Sequence, residues 1–210
     1  MTHRDFRAKA VRHAVGPALV TALALVSCSS APPPPPDAFV NLTLGPHVDM
    51  AGNNLCSNAT VTPVLLIGTS TGGAGPHIQA DGSQNGNGNV SVSCTVRGSF
   101  DVSLTAALGG TIGGSMEISG HVTASNGGSN INASFTSNGL SYSETDCTIA
   151  FTYNGAPVPT KPPIAGGRIW AHLKCPSMAN PAHQQRLADG SQVSETCDGE
   201  ADFLFDNCNQ

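Results

Sequence analysis

Phe100-Asp101-Val102-Ser103-Leu104-Thr105-Ala106, followed further on by Met116-Glu117-Ile118-Ser119, is the stretch whose reading decides the fold. Phe100, Val102, Leu104 and Ala106 fall on one parity, and Asp101, Ser103 and Thr105 on the other. Side chains that alternate with a period of two belong to a strand with one face on a core and the other in water, as in antiparallel sheets. The alternation runs on through His121, Val122, Thr123 and Ala124. Ser125-Asn126-Gly127-Gly128-Ser129 then supplies residues that tolerate positive φ, as a hairpin turn requires, and Ile131, Ala133 and Phe135 form the returning strand. Asn138-Gly139 and Asn154-Gly155 mark two further turns.

Composition agrees with this pattern outside the stretch. Charged residues make up 11% of the 210-residue chain and glycine occurs 24 times, which suits short strands joined by many turns. The expectation is all-β: an antiparallel β-sandwich or small barrel stapled by disulfides, in a single domain over residues 39–210. Pro157, Pro159, Pro162 and Pro163 lack the N–H that ladder pairing needs, so a crossover is expected at about residues 155–166. Beyond it, Asn180 as N-cap, Pro181 in the first turn and Gly190 past Asp189 predict at most one short helix.

The N-terminus has another character. Arg4, Arg7, Lys9 and Arg12 precede a mostly apolar run from Ala14 to Val26, and small residues follow at Ser27 and Cys28, the layout of a secretory signal. Leu25-Val26-Ser27-Cys28 resembles the lipobox of bacterial lipoproteins. The resemblance covers about the first 30 residues. It implies removal of residues 1–27 as a signal peptide, lipidation of Cys28 and anchoring to the membrane through that lipid. It also implies sorting to the outer membrane, because Ser29 follows the cysteine where an Asp would signal retention. Residues 28–38, with the run Pro32 to Pro36, read as an extended tether.

Export gives the remaining cysteines a meaning. Cys56, Cys94, Cys147, Cys175, Cys197 and Cys208 are even in number, so three disulfides are expected, with fifteen pairings open and Cys175–Cys197 preferred across a short insertion. Cys94 shares its phase with Val92 and Val96, Cys147 with Ile149, and Cys175 with Leu173, which turns the sulfurs toward the core. There is no C-x-x-C pair, and neither a metal nor a cofactor is expected from the cysteines.

The formal charge is −5, and without residues 1–27 five basic residues face thirteen acidic ones, a balance of −8. A chain of that sign without a Lys/Arg cluster has no footprint for phosphates, so nucleic acid is excluded as a partner.

Several constellations carry chemistry. Gly68-Thr69-Ser70-Thr71-Gly72 matches the G-x-S-x-G elbow, but Gly73-Ala74-Gly75-Pro76 follows where the elbow needs a helix. An envelope hydrolase would use Ser70, with His47, His77 or His121 as base, or a metal held by carboxylates. Asp198, Glu200, Asp202 and Asp206 lie on one parity, so Asp198, Glu200 and Asp202 are candidate metal ligands or the charged outer side of an edge strand. Asp81 to Gly86 resembles the start of a calcium loop but has Val92 where a bidentate Glu belongs. Trp170 takes the parity of Arg168, His172 and Lys174, opposite Ile169 and Ala171. It would either stack on a surface glycan or pack against the proline-rich segment. Taken together, the sequence reads as a lipid-anchored cell-envelope protein without catalysis of its own, a binding or structural module with a glycan or protein partner at the surface.

Overall fold

Alternation of this kind must close on itself or leave edges, and the structure resolves which. The computed structural model describes residues 31–57, 63–71, 75–110, 113–137, 139–160 and 162–210. The leader and Cys28 lie outside the described residues. Sixteen strands occur in the described residues: β1 (Asp37–Gly45), β2 (Leu65–Ile67), β3 (Thr69–Thr71), β4 (Gly75–His77), β5 (Gln79–Ala80), β6 (Gln84–Asn85), β7 (Gly88–Val96), β8 (Asp101–Leu108), β9 (Gly114–His121), β10 (Gly128–Ser137), β11 (Leu140–Ala150), β12 (Thr152–Tyr153), β13 (Ala156–Pro157), β14 (Ile164–Ala165), β15 (Arg168–Arg186) and β16 (Gln192–Asp206). A single 3-10 turn at Gly98–Phe100 is the only helical element among them. Phe100, expected to open a strand, ends that turn instead at positive φ, and β8 starts one residue later.

Twelve strands make one antiparallel sheet in the order β2-β1-β16-β15-β11-β10-β9-β8-β7-β6, with β5 on β1 and β14 on β15. The sheet curls into a nearly closed barrel, so the all-β expectation holds in its barrel form. The inward parity fills the interior: Leu104 and Ala106 on β8, Met116 and Ile118 on β9 and Phe135 on β10 are all buried. Gly127, at φ +74, sits where any Cβ would run into the Ile149 carbonyl, which ties the β9–β10 turn to β11. Gly199 on β16 faces inward, and a Cβ there would collide with Met178 and Phe135.

The last two residues of the stretch read as an extended tether, Asp37 and Ala38, are strand. Ala38 is fully buried, so ladder pairing starts directly after the prolines.

Three further expectations are corrected. The proline-rich segment does not cross the sheet, because β11 and β15 are neighbours and it loops out between them, carrying β12, β13 and β14. Residues Asn180 to Arg186 are not helical. The Asn180 side chain does cap its own turn by accepting the Ala182 N–H at 3.1 Å, but the turn is a bulge, and β15 rejoins β16 at Gln184. Cys175 does not pair with Cys197. Thr148 lies opposite Lys174, which sets Cys147 across from Cys175, while Cys197 meets Cys56 in the loop after β1. The third bridge, Cys94–Cys208, joins β7 to the C-terminal tail.

Proteolysis without reduction should therefore yield linked peptides for Cys56–Cys197, Cys94–Cys208 and Cys147–Cys175, and a peptide joining Cys175 to Cys197 would contradict the register. Replacing Cys94 and Cys208 by Ala should lower unfolding free energy by about 2–5 kcal/mol in a urea titration.

Candidate functional site

Strand register places three rows of side chains on the outer face of β1, β16 and β15. Asp37 lies opposite Asp206, Phe39 opposite Leu204, and Asn41 opposite Asp202 on β1 and β16. On the other flank, Trp170 lies opposite Leu204, His172 opposite Asp202 and Lys174 opposite Glu200.

The acidic row is on a central strand, not an edge, and its charges are answered one by one. His47 pairs with Asp198 at 2.8 Å, His172 with Asp202 at 3.0 Å, Arg168 with Asp206 at 3.7 Å and Lys174 with Glu200 at 3.9 Å. Carboxylates two residues apart on a strand are about 7 Å apart along it, too far to converge on one ion. Asp198, Glu200 and Asp202, weighed as metal ligands, are thus each held by a separate partner. Among the described residues, metal-sized groupings form only around Cys56, Glu195 and Cys197 and around Glu144, Cys147 and Cys175, where the sulfurs are spent in disulfides.

Between the charged rows lies a second hydrophobic cluster, separate from the barrel core. Phe39, Leu204 and Trp170 belong to it together with Val158, and Tyr153 packs on top. The Tyr153 ring meets Trp170 edge-on at 5.4 Å and Phe39 at 6.0 Å. Trp170 thus has the outward parity that the sequence implied, yet it is only 3% exposed, because the segment after β11 covers it. An exposed indole platform is not what the chain presents.

The elbow motif lies on a strand hairpin that sets Thr69 opposite the candidate base His77. Ser70 falls in β3, which pairs with β4 as a hairpin, so a strand stands where the elbow needs a helix; its side chain lies outside the described residues. His47 and His121 are engaged with Asp198 and Asp101. Asp81, the calcium-loop candidate, instead accepts the Val92 N–H at 2.8 Å.

Sequence reasoning missed one site. Glu195 is fully buried, accepts hydrogen bonds from Ser57 Oγ at 2.6 Å and the Tyr142 hydroxyl at 3.1 Å, and pairs with His183 Nδ1 at 2.8 Å. Its signal was present, since Glu195 shares the parity of Cys197, Gly199 and Ala201 and so points inward. Such a carboxylate is tolerable only when its donors replace lost water, and here they lock the Cys56 loop to β16.

Two groups on the outer face have displaced titrations. The Asp202 hydrogen bond, then the Asp202 and Glu200 charges, hold His172 above its ordinary value against the opposing effect of burial. Burial and then the Asp206 carboxylate raise Asp37 as well, against the Asn207 amide and Arg168.

Compared with protein-family models, with curated proteins and with solved structures, the chain matches none.

Because the folded His172 binds its proton more tightly, its stabilising effect is complete below the unfolded value of 6.5 and fades as pH rises through the folded one. His172→Gln should therefore lower Tm more at about pH 5.5 than at about pH 9. Glu195→Ala should cost about 3 kcal/mol in urea unfolding, by removing the acceptor shared by Ser57, Tyr142 and His183.

Proposed function

We propose that the chain is the precursor of an exported lipoprotein, cleaved before Cys28, lipidated on that residue and held at the cell envelope, on the outer membrane if Ser29 acts as the sorting residue. The barrel is then a binding or structural module without catalysis of its own. The observation that carries this reading is the pairing of all six cysteines of the barrel, which leaves Cys28 as the one thiol for a lipid. Three bridges suit an oxidising compartment, where such bonds persist.

The placement of the chain ends is consistent with it. Asp37 pairs with Asp206 at the start of β1, and Pro33 and Pro34 lie in a depression with Gly167, Asn207 and Gln210, so the proline run enters at the end of the barrel where the chain finishes.

Intact mass of the protein from its native host tests this directly. The expected product starts at Cys28, is heavier by roughly two or three acyl chains, and takes up alkyl groups on the six other cysteines only after reduction. Cys28→Ser should move the protein from the membrane pellet to the soluble fraction. An uncleaved mass, or cysteines alkylated without reduction, would overturn the reading.

A further inference from the structure

Methionine is an apolar side chain that oxidants modify reversibly, and in a folded protein access to the sulfur decides which methionine reacts. The chain has four, of which Met50, Met116 and Met178 lie in the described residues. Met116 on β9 is fully buried, flanked in register by Ala106 and Phe135. Met178 on β15 is fully buried as well, and its sulfur stands where a Cβ on Gly199 would be, so that side has no room for another atom. Met50 is the opposite case, with a relative exposure of 107%, as open to water as in an extended chain.

That exposure is built into the loop after β1. The Asp49 carboxylate accepts the Ala51 and Asn53 N–H groups, each at 2.8 Å, and the Asn53 side-chain amide at 3.0 Å. The Asp49 N–H donates to the Asn53 carbonyl at 3.0 Å, the Gly52 N–H to the Asp49 carbonyl at 3.0 Å and the Leu55 N–H to the His47 carbonyl at 2.7 Å. At the base of the loop the Gln185 amide donates to the Asn54 carbonyl at 2.8 Å, and Cys56 is bridged to Cys197. A tight, fully bonded turn therefore holds Met50 at its tip. Ala51 and Gly52 beside it are small and exposed, and a Cβ on Gly52 would meet nothing within 4 Å, so no described residue stands over the thioether. Val48, 58% exposed, adds to the apolar surface of the same loop.

We propose that Met50 is a reversible oxidation site, the point at which the folded chain reacts with a hydroperoxide. The Met50 sulfur attacks one peroxide oxygen, the O–O bond breaks, and the departing oxygen takes the proton and leaves as water or an alcohol, so one S–O bond forms and the sulfur is oxidised to the sulfoxide. A dithiol acting through a methionine sulfoxide reductase returns the thioether, the oxygen leaving as water and the dithiol becoming a disulfide. The loop tip thereby switches from apolar to polar while Met116 and Met178 keep the core packed. The inference rests neither on the lipid anchor nor on the binding-module reading, so its failure leaves the mass experiment on Cys28 untouched.

Hydrogen peroxide is added to the folded protein from its native host, and the peptides carrying Met50, Met116 and Met178 are followed by mass spectrometry, with a urea titration of the product. Expected is one oxygen on Met50 at a rate about tenfold or more above either buried methionine, because those react only when the barrel opens. The urea midpoint should be unchanged, and methionine sulfoxide reductases A and B with dithiothreitol should remove the oxygen. Folded Met50→Leu should take up no oxygen at Met116 or Met178 over the same time. Oxidation of Met116 or Met178 as fast as Met50 would overturn the inference. So would a Met50 sulfoxide that lowers the urea midpoint or resists both reductases.

Discussion

Everything in this barrel depends on the free edge of β7 being satisfied. Gly88–Val96 carries no charge and alternates Val with Ser and Thr, the composition that invites pairing with another chain when its backbone is left open. Here the edge is occupied piece by piece. Gly82 and Ser83 exchange hydrogen bonds with Val90, the Asp81 carboxylate takes the Val92 N–H, Asn209 bonds to Cys94 and Val96, and Gly167 donates to the Val96 carbonyl. The Cys94–Cys208 bridge holds the tail in register for this, and β5 on β1 carries the chain across the gap. A disulfide at the seam thus compensates for a sequence too poor in charge to protect an edge by repulsion.

The second constraint is the position of β16, paired along its length with β1 and β15. Its inner parity belongs to the core and its outer parity to water, so one strand carries both Phe203 and Asp202 without conflict. The outer carboxylates would repel one another on an isolated strand. Between Arg168, His172, Lys174 and His47 they become a cross-strand ladder of ion pairs, each modest because it is partly solvated. One of the four partners is His172, held above its ordinary value, so its pair with Asp202 is more fully charged in acid than in base.

Much of this was legible because a period of two survives in single sequences. The strands from Val90 to Ile149, their Asn- and Gly-bearing turns and the inward phase of the cysteines all follow from local pattern. Pairing partners did not, since Cys147 meets Cys175 only through the β11–β15 register, a relation between distant segments. The helix expected after Asn180 failed for a related reason: the Asx turn is real, but pairing with β16 outweighs it after Pro181. Trp170 was more legible: its outward parity and its packing against the proline-rich segment, through Val158, were both readable, and only the part taken by Tyr153 was not. Glu195 was readable in principle, as a carboxylate on an inward parity.

Native-state amide hydrogen exchange measures the sealing of the seam most directly. If β7 is sealed as described, the amides of Val90, Val92 and Val96 exchange only through global unfolding, as slowly as those of the central strand β16. Exchange of these three amides far faster than β16 under native conditions would mean an open edge and would contradict the sealed seam of the nearly closed barrel.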